Sequence, residues 1–310
     1  MLTVIGEALV DVVQRTAGTE AHVGGSPLNV AVGLARLDHP VQFIGRYGQD
    51  EYGESIAAHL RASSVMVPLP PDQKPTSIAT ALVDDDGAAT YTFDLAWELP
   101  GLAGRLPVML QGATLLHTGS IATALEPGAA EVIAAVEHAH PNSTISFDPN
   151  CRPTIITDVD YARTQAERFV ALSDVVKASD EDLEWLYPGV EPEESARRWL
   201  SLAGDEGPAV VVVTRGSRGP WGIARSGEVE IPAPQVDVVD TVGAGDSFMA
   251  GLLSAVVDHG LDGAQNRAAL RAIPAETLSA ILSHATKAAA ITVSRAGANP
   301  PTRAEITKRA

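Results

Sequence analysis

Short apolar runs recur along this chain, each set off from the next by a stretch with helical periodicity, and few folds accommodate that order. The runs are Leu2–Ile5, Val41–Ile44, Thr114–His117, Thr144–Phe147, Val175–Lys177 and Val210–Thr214. The intervening stretches put helices over Asn29–Leu37, Tyr52–Ser63, Pro127–His138, Ala162–Leu172, Asp180–Leu186 and Glu193–Leu202, with two longer ones at Asp246–Asp258 and Ala275–Val293. Strands that are apolar almost throughout are buried on both faces, so the pattern specifies an α/β fold with a mainly parallel central sheet flanked by helices. One segment breaks the alternation. Ser77–Val83 and Ala88–Asp94 flank Asp84-Asp85-Asp86-Gly87, which spells an antiparallel hairpin with an Asp-Gly turn. No internal repeat, long charge run or interdomain linker interrupts residues 1–310, which read as one domain.

Composition narrows the function. The formal net charge is -17, which disfavours nucleic acid as a partner, because that binding needs clustered Lys and Arg. No stretch reaches the ~20 apolar residues of a membrane span. The first residues read as a strand rather than a targeting segment, and Cys151, the single cysteine, excludes an internal disulfide. A cytoplasmic protein is expected. The eight histidines make no metal-ligand spacing with cysteine, so a zinc site is not expected.

The chemistry concentrates in Asp240-Thr-Val-Gly-Ala-Gly-Asp246, which runs into the helical segment beginning Ser247-Phe248. Gly243, Ala244 and Gly245 carry almost no side chain, so their amides can approach a ligand closely. At a helix start those amides are unpaired and share the positive end of the dipole. That makes an anion hole suited to a transferring phosphoryl group. Asp246, on the first turn, is placed to take a proton from an attacking hydroxyl. In isolation the same Asp would more readily be read as a helix cap. No Gly-x-x-x-x-Gly-Lys-Ser/Thr sequence occurs, which disfavours an ordinary P-loop kinase.

This nine-residue string closely resembles the second signature of the PfkB (ribokinase-like) family of carbohydrate kinases, whose last Asp is the general base. The resemblance runs over essentially the whole chain. It implies a ribokinase-like three-layer fold with a small β-sheet lid, its strands drawn from about 11–23 and 77–94. Gly24-Gly25-Ser26-Pro27-Leu28-Asn29 is similar to the family's sugar-binding segment, and Asp11 matches an Asp that grips sugar hydroxyls. Asp148-Pro149-Asn150-Cys151-Arg152 resembles a loop of fructokinases and 2-keto-3-deoxygluconate kinases. Its Arg152 either contacts phosphate or a substrate oxygen, or ties down Asp148.

In Lys177-Ala178-Ser179-Asp180-Glu181-Asp182, the last residue stands where relatives carry a Glu that organises magnesium. Ser179 with Asp182 is also close to a helix capping box. Lys177 faces the ATP phosphates or pairs with this acidic cluster. The segment from Thr214 through Gly216 to Gly219 resembles a turn bordering the nucleotide, and the loop holding Asn299 resembles one lying under the adenine. In some relatives that loop and the residue matching Asp240 hold a monovalent cation, so potassium joins ATP and Mg²⁺ among the expected cofactors.

The expected activity is phosphorylation of a sugar hydroxyl by ATP, with fructose first, 2-keto-3-deoxygluconate and ribose as rivals. A sugar- or nucleotide-binding regulator without catalysis is the alternative of another class. The hairpin is expected to close over the sugar and to provide a homodimer contact.

Overall fold

The computed structural model describes residues 1–16, 18–84 and 89–308. Residues 85–88, which include most of the expected Asp-Gly turn, lie outside the described residues. The strands are β1 Leu2–Ile5, β2 Leu9–Arg15, β3 Gly18–Gly24, β4 Val41–Ile44, β5 Ser77–Val83, β6 Ala89–Asp94, β7 Leu115–Gly119, β8 Thr144–Asp148, β9 Val175–Ser179, β10 Val210–Thr214, β11 Trp221–Ala224 and β12 Gly227–Glu230. The helices are α1 Ser26–Arg36, α2 Glu51–Ala62, α3 Leu106–Met109, α4 Gly128–Ala139, α5 Val159–Ala171, α6 Asp180–Leu186, α7 Pro192–Leu200, α8 Ala244–Asp258, α9 Arg267–Arg271, α10 Ala275–Val293 and α11 Arg303–Lys308.

The main sheet has the order β12-β11-β10-β9-β8-β7-β1-β4. Its strands run parallel from β4 to β10, and β11 and β12 are antiparallel additions at one edge. The apolar runs of the sequence are these parallel strands. They are buried on both faces: one core packs Val4, Phe43 and Val212 with Leu28, Met249 and Leu282, the other packs Ile5, Phe147 and Val211 with Val136, Phe169 and Trp199. A three-layer α/β architecture follows, as the sequence leads one to expect.

Strand ends extend further than hydrophobicity alone suggests. β7, β8 and β9 continue to Gly119, Asp148 and Ser179, so the site loops leave from the carboxyl edge of a parallel sheet.

The second sheet has the order β3-β2-β5-β6. β5 and β6 pair antiparallel, as expected, but β5 joins β2 in parallel, so the sheet is mixed. Asp11 and His22 are opposite each other, as are Ala81 and Tyr91, and Tyr91 stacks on Phe93. Buried Arg46 holds the feet of the β5–β6 hairpin, donating to the carbonyls of Lys74, Pro75 and Ala96 and pairing with Asp72. Among the described residues no helix is long and apolar enough to cross a membrane.

Candidate active site

α8 starts at Ala244 rather than at Asp246, two residues earlier than its apolar periodicity indicates. Its N-cap is Gly243, at φ 72 and ψ 7, with no side chain capping the first turn. Val242 N–H donates to Asp240 Oδ1 at 3.0 Å and Ala244 N–H to the Thr241 carbonyl at 3.2 Å. Among the described residues no hydrogen bond occupies the amides of Gly243 and Gly245. A helix start with free donors and no side-chain cap has the donors that an anion would need.

Asp246, on that first turn, does not cap its own helix. Ser26 Oγ donates to its Oδ1 at 2.7 Å and Asn29 Nδ2 to its Oδ2 at 2.8 Å. Both donors lie on the first turn of α1, where Pro27 pre-sets the backbone. The preceding Gly25 has φ 108, and a Cβ there would stand 2.6 Å from the Glu7 carbonyl oxygen. Glycine is therefore required for α1 to start where it does. Asn29 was expected beside a sugar, and the structure adds its grip on Asp246. Ser26 was not singled out from sequence.

Behind the glycine turn lies a buried ion pair: Lys177 Nζ donates to Asp148 Oδ2 at 2.7 Å. Lys177 Nζ also lies 3.3 Å from the point a Cβ on Gly245 would occupy. Lys177 thus stands against the glycine turn, and its ion-pair partner is Asp148 rather than the 180–182 cluster, of which Asp182 acts on it through its charge. Burial raises the Asp148 carboxyl to about 6 against the pull of Lys177, and Asp182 and Asp246 add to the rise. Burial would lower Lys177, but Asp148, Asp182 and Asp246 carry it above the ordinary lysine range.

Asp182 completes a capping box with Ser179 at the start of α6. Its Oδ2 accepts from Ser179 N–H at 2.8 Å and its Oδ1 from Cys151 N–H at 2.7 Å, so it ties the two loops together. Among the described residues no cluster of three acidic, His or Cys side chains could hold a metal by itself. A divalent ion here would rest chiefly on phosphate oxygens and water, with Asp182 in indirect support. Burial and nearby Asp182 push the Cys151 thiol far up, away from the thiolate that a nucleophile needs.

Asp11 opens towards solvent on the small sheet. Desolvation raises its carboxyl, opposed by Arg152 and His22. Arg152 Nη1 donates to the carbonyls of Asn150 and Cys151 and to Asn150 Oδ1, rather than to Asp148. Asn150 has φ 37, and its Nδ2 is buried without a partner. Glu7 was missed as well. Its carboxyl is pushed up to about 7 by burial, against hydrogen bonds from Ser120 and Ala122 N–H and the charge of Arg152. The signal was available, for Glu7 is a lone acid inside the run Ile5-Gly6-Glu7-Ala8-Leu9.

A long groove is lined by Thr214, Gly216 and Gly219 on one side and by Val238, Thr241, Gly245 and Val293 elsewhere. A second space is lined by Asn150, Arg152, Lys177, Ser179 and Asp182 together with Thr214, Gly216 and Gly245. Shared walls at Thr214, Gly216 and Gly245 make the two spaces meet at the anion turn. Val238 and Val239 are 63% and 65% exposed, an apolar strip along the groove. Asp240 lies beside it, its carboxyl held low by the amides of Val242 and Gly297. Asn299 lies off both walls, its Oδ1 accepting from Arg36.

Residues 1–305 match the model of the pfkB family carbohydrate kinase. A fructokinase of Rhizobium leguminosarum bv. trifolii is 34% identical over 268 residues, 83% of this chain and 79% of that protein. The fold matches that of a Xylella fastidiosa fructokinase solved with ATP, with a TM-score of 0.86, 24% identity, and 99% and 97% of the two chains covered. A Vibrio cholerae O395 fructokinase double mutant, solved with fructose, ADP and potassium, is 27% identical, with a TM-score of 0.79 over 99% and 98% of the two chains. The matched region takes in every loop that meets at the anion turn, from Gly25 to Asn299, and the chain belongs to the pfkB family of carbohydrate kinases.

Proposed function

We propose that this chain is an ATP-dependent fructokinase with Asp246 as its base. The observation that carries the reading is the hold of Ser26 and Asn29 on Asp246 beside the unoccupied glycine amides and Lys177. Each Asp246 oxygen accepts one bond and keeps a lone pair for a substrate hydroxyl. That hydroxyl gives its proton to Asp246 as its oxygen forms a bond to the γ-phosphorus. The bond from that phosphorus to the bridging oxygen breaks, and ADP leaves with the electron pair. The Gly243 and Gly245 amides and Lys177 meet the charge on the phosphoryl oxygens, so the chain acts mainly by positioning and neutralisation.

Asp11, Gly25, Asn29 and Arg152 take the sugar side. Thr214, Gly216 and Gly219 border the nucleotide, whose base the Val238–Val239 strip suits. Mg²⁺, when bound, neutralises the phosphates; Asp182 and Ser179 order the loop beside it. Potassium is proposed near the loop that Asp240 ties to Gly297. The β3-β2-β5-β6 sheet is proposed to close over the sugar and to pair with that of a second copy, and the cytoplasm is proposed as the compartment.

A neutral sugar is favoured over 2-keto-3-deoxygluconate. Arg152 turns its Nη1 onto its own loop and stands near the carboxyls of Glu7 and Asp11, which disfavour a further carboxylate beside it. Coupled ADP release from purified protein tests this with fructose, 2-keto-3-deoxygluconate, ribose and adenosine. Turnover highest with fructose is expected. Nucleotide binding without turnover on any sugar would favour a non-catalytic regulator instead.

A further inference from the structure

We infer that Arg36 is a positioning residue for phosphoryl transfer, bracing the anion turn through the 297–300 loop; this rests on the kinase reading above. Arg36 is the last residue of α1, the helix whose first turn holds Asp246. Its Nη1 donates to Asn299 Oδ1 at 2.5 Å and to the Pro300 carbonyl at 2.8 Å. The same loop is pinned at its other end, where Gly297 N–H donates to Asp240 Oδ2 at 2.8 Å.

Between those pins the loop presses on the site. Gly243, the αL cap of α8, lies so close to Ala298 that a Cβ there would stand 2.6 Å from the Ala298 Cβ. Asp240 also takes the Val242 amide, so the N-terminal flank of the glycine turn and its Gly243 cap both depend on where this loop sits. Arg36 touches neither groove wall, yet one helix fixes the base at its start and the support of the anion donors at its end. Two groups that must stay in register to within a fraction of an ångström are set by a single rigid element.

Steady-state kinetics and ADP titration by calorimetry on the full chain test this. Arg36→Met should lower kcat and weaken ADP binding by about ten-fold each, with sugar KM within about two-fold of wild type. Arg36→Lys, which keeps one donor, should recover part of both losses. Asn299→Ala should give a smaller loss alone and add little to Arg36→Met. Wild-type kcat and ADP affinity in Arg36→Met would overturn the inference, whatever happens to the melting temperature. A sugar KM rising as far as the ADP dissociation constant would do the same. Should Arg36→Met fail to fold, Asn299→Ala carries the same readouts. A wild type that releases no ADP with any sugar sinks the kinase reading alone, because the ADP titrations still judge the brace.

Discussion

Asp246, the proposed base, is held on both oxygens, and that grip makes its replacement informative. Asp246→Asn should reduce kcat by about 10²–10⁴-fold, the usual contribution of a general base. An amide oxygen cannot accept from both Ser26 and Asn29 in the same way, so a loss of about 1 kcal/mol in stability should accompany it. Initial rates and denaturant unfolding separate the two effects. Glu7 makes a different test. Its folded-state value of about 7 lies above the ordinary 4.5, so between those values the folded chain holds a proton the unfolded chain has released. Stability from this group is therefore present below pH 4.5 and lost as pH rises to 7. Glu7→Gln mimics the protonated form. It should be up to about 3 kcal/mol more stable than wild type at pH 8, with a smaller gap at pH 5. Urea unfolding at the two values measures the gap. Asp148 titrates in both proteins and cancels. An equal difference at pH 5 and pH 8 would mean that Glu7 is not the group involved.

At the scale of elements, α1 and the loops at the strand ends build the site together. Gly25→Ala forces φ 108 on an L residue and drives a methyl into the Glu7 carbonyl. The strain should cost about 1–3 kcal/mol. Because α1 must shift and carries Arg36 at its other end, kcat should fall and ADP affinity should weaken with it; kinetics with calorimetry checks this. The parallel strands were legible because both their faces are buried and their runs are nearly all apolar. Their last residues were not, since Gly119, Asp148 and Ser179 carry no apolar signal and belong to the strand only by pairing. The glycine turn and Asp246 were legible from local spacing. Ser26 was not, because its partner is 220 positions away and only the fold brings them together. Asp148 passed for loop chemistry, although its burial against Lys177 makes it part of the electrostatics of the site.

The molecule as a whole joins a rigid sheet to a smaller one whose hairpin feet are fixed by Arg46. With those feet clamped, the closure proposed over a sugar would belong to the sheet moving as a unit rather than to the hairpin bending alone. Tyr91, 58% exposed and stacked on Phe93, lies on the same face as Asp11 and His22. If that face receives a second copy, Tyr91→Glu should convert a dimer to a monomer with little change in melting temperature. Sedimentation velocity reads the mass directly, and a wild type that sediments as a monomer rules the contact out. The pairing of Asn29 with Asp246 spans 217 positions of chain. A nascent polypeptide made as far as Ile231 already carries Gly25, Asn29 and Arg152, yet it has no base and no anion turn. A product that stops before Gly243 therefore lacks both proposed catalytic parts, and under the proposed mechanism such an unfinished copy would not drain ATP while it waits on the ribosome.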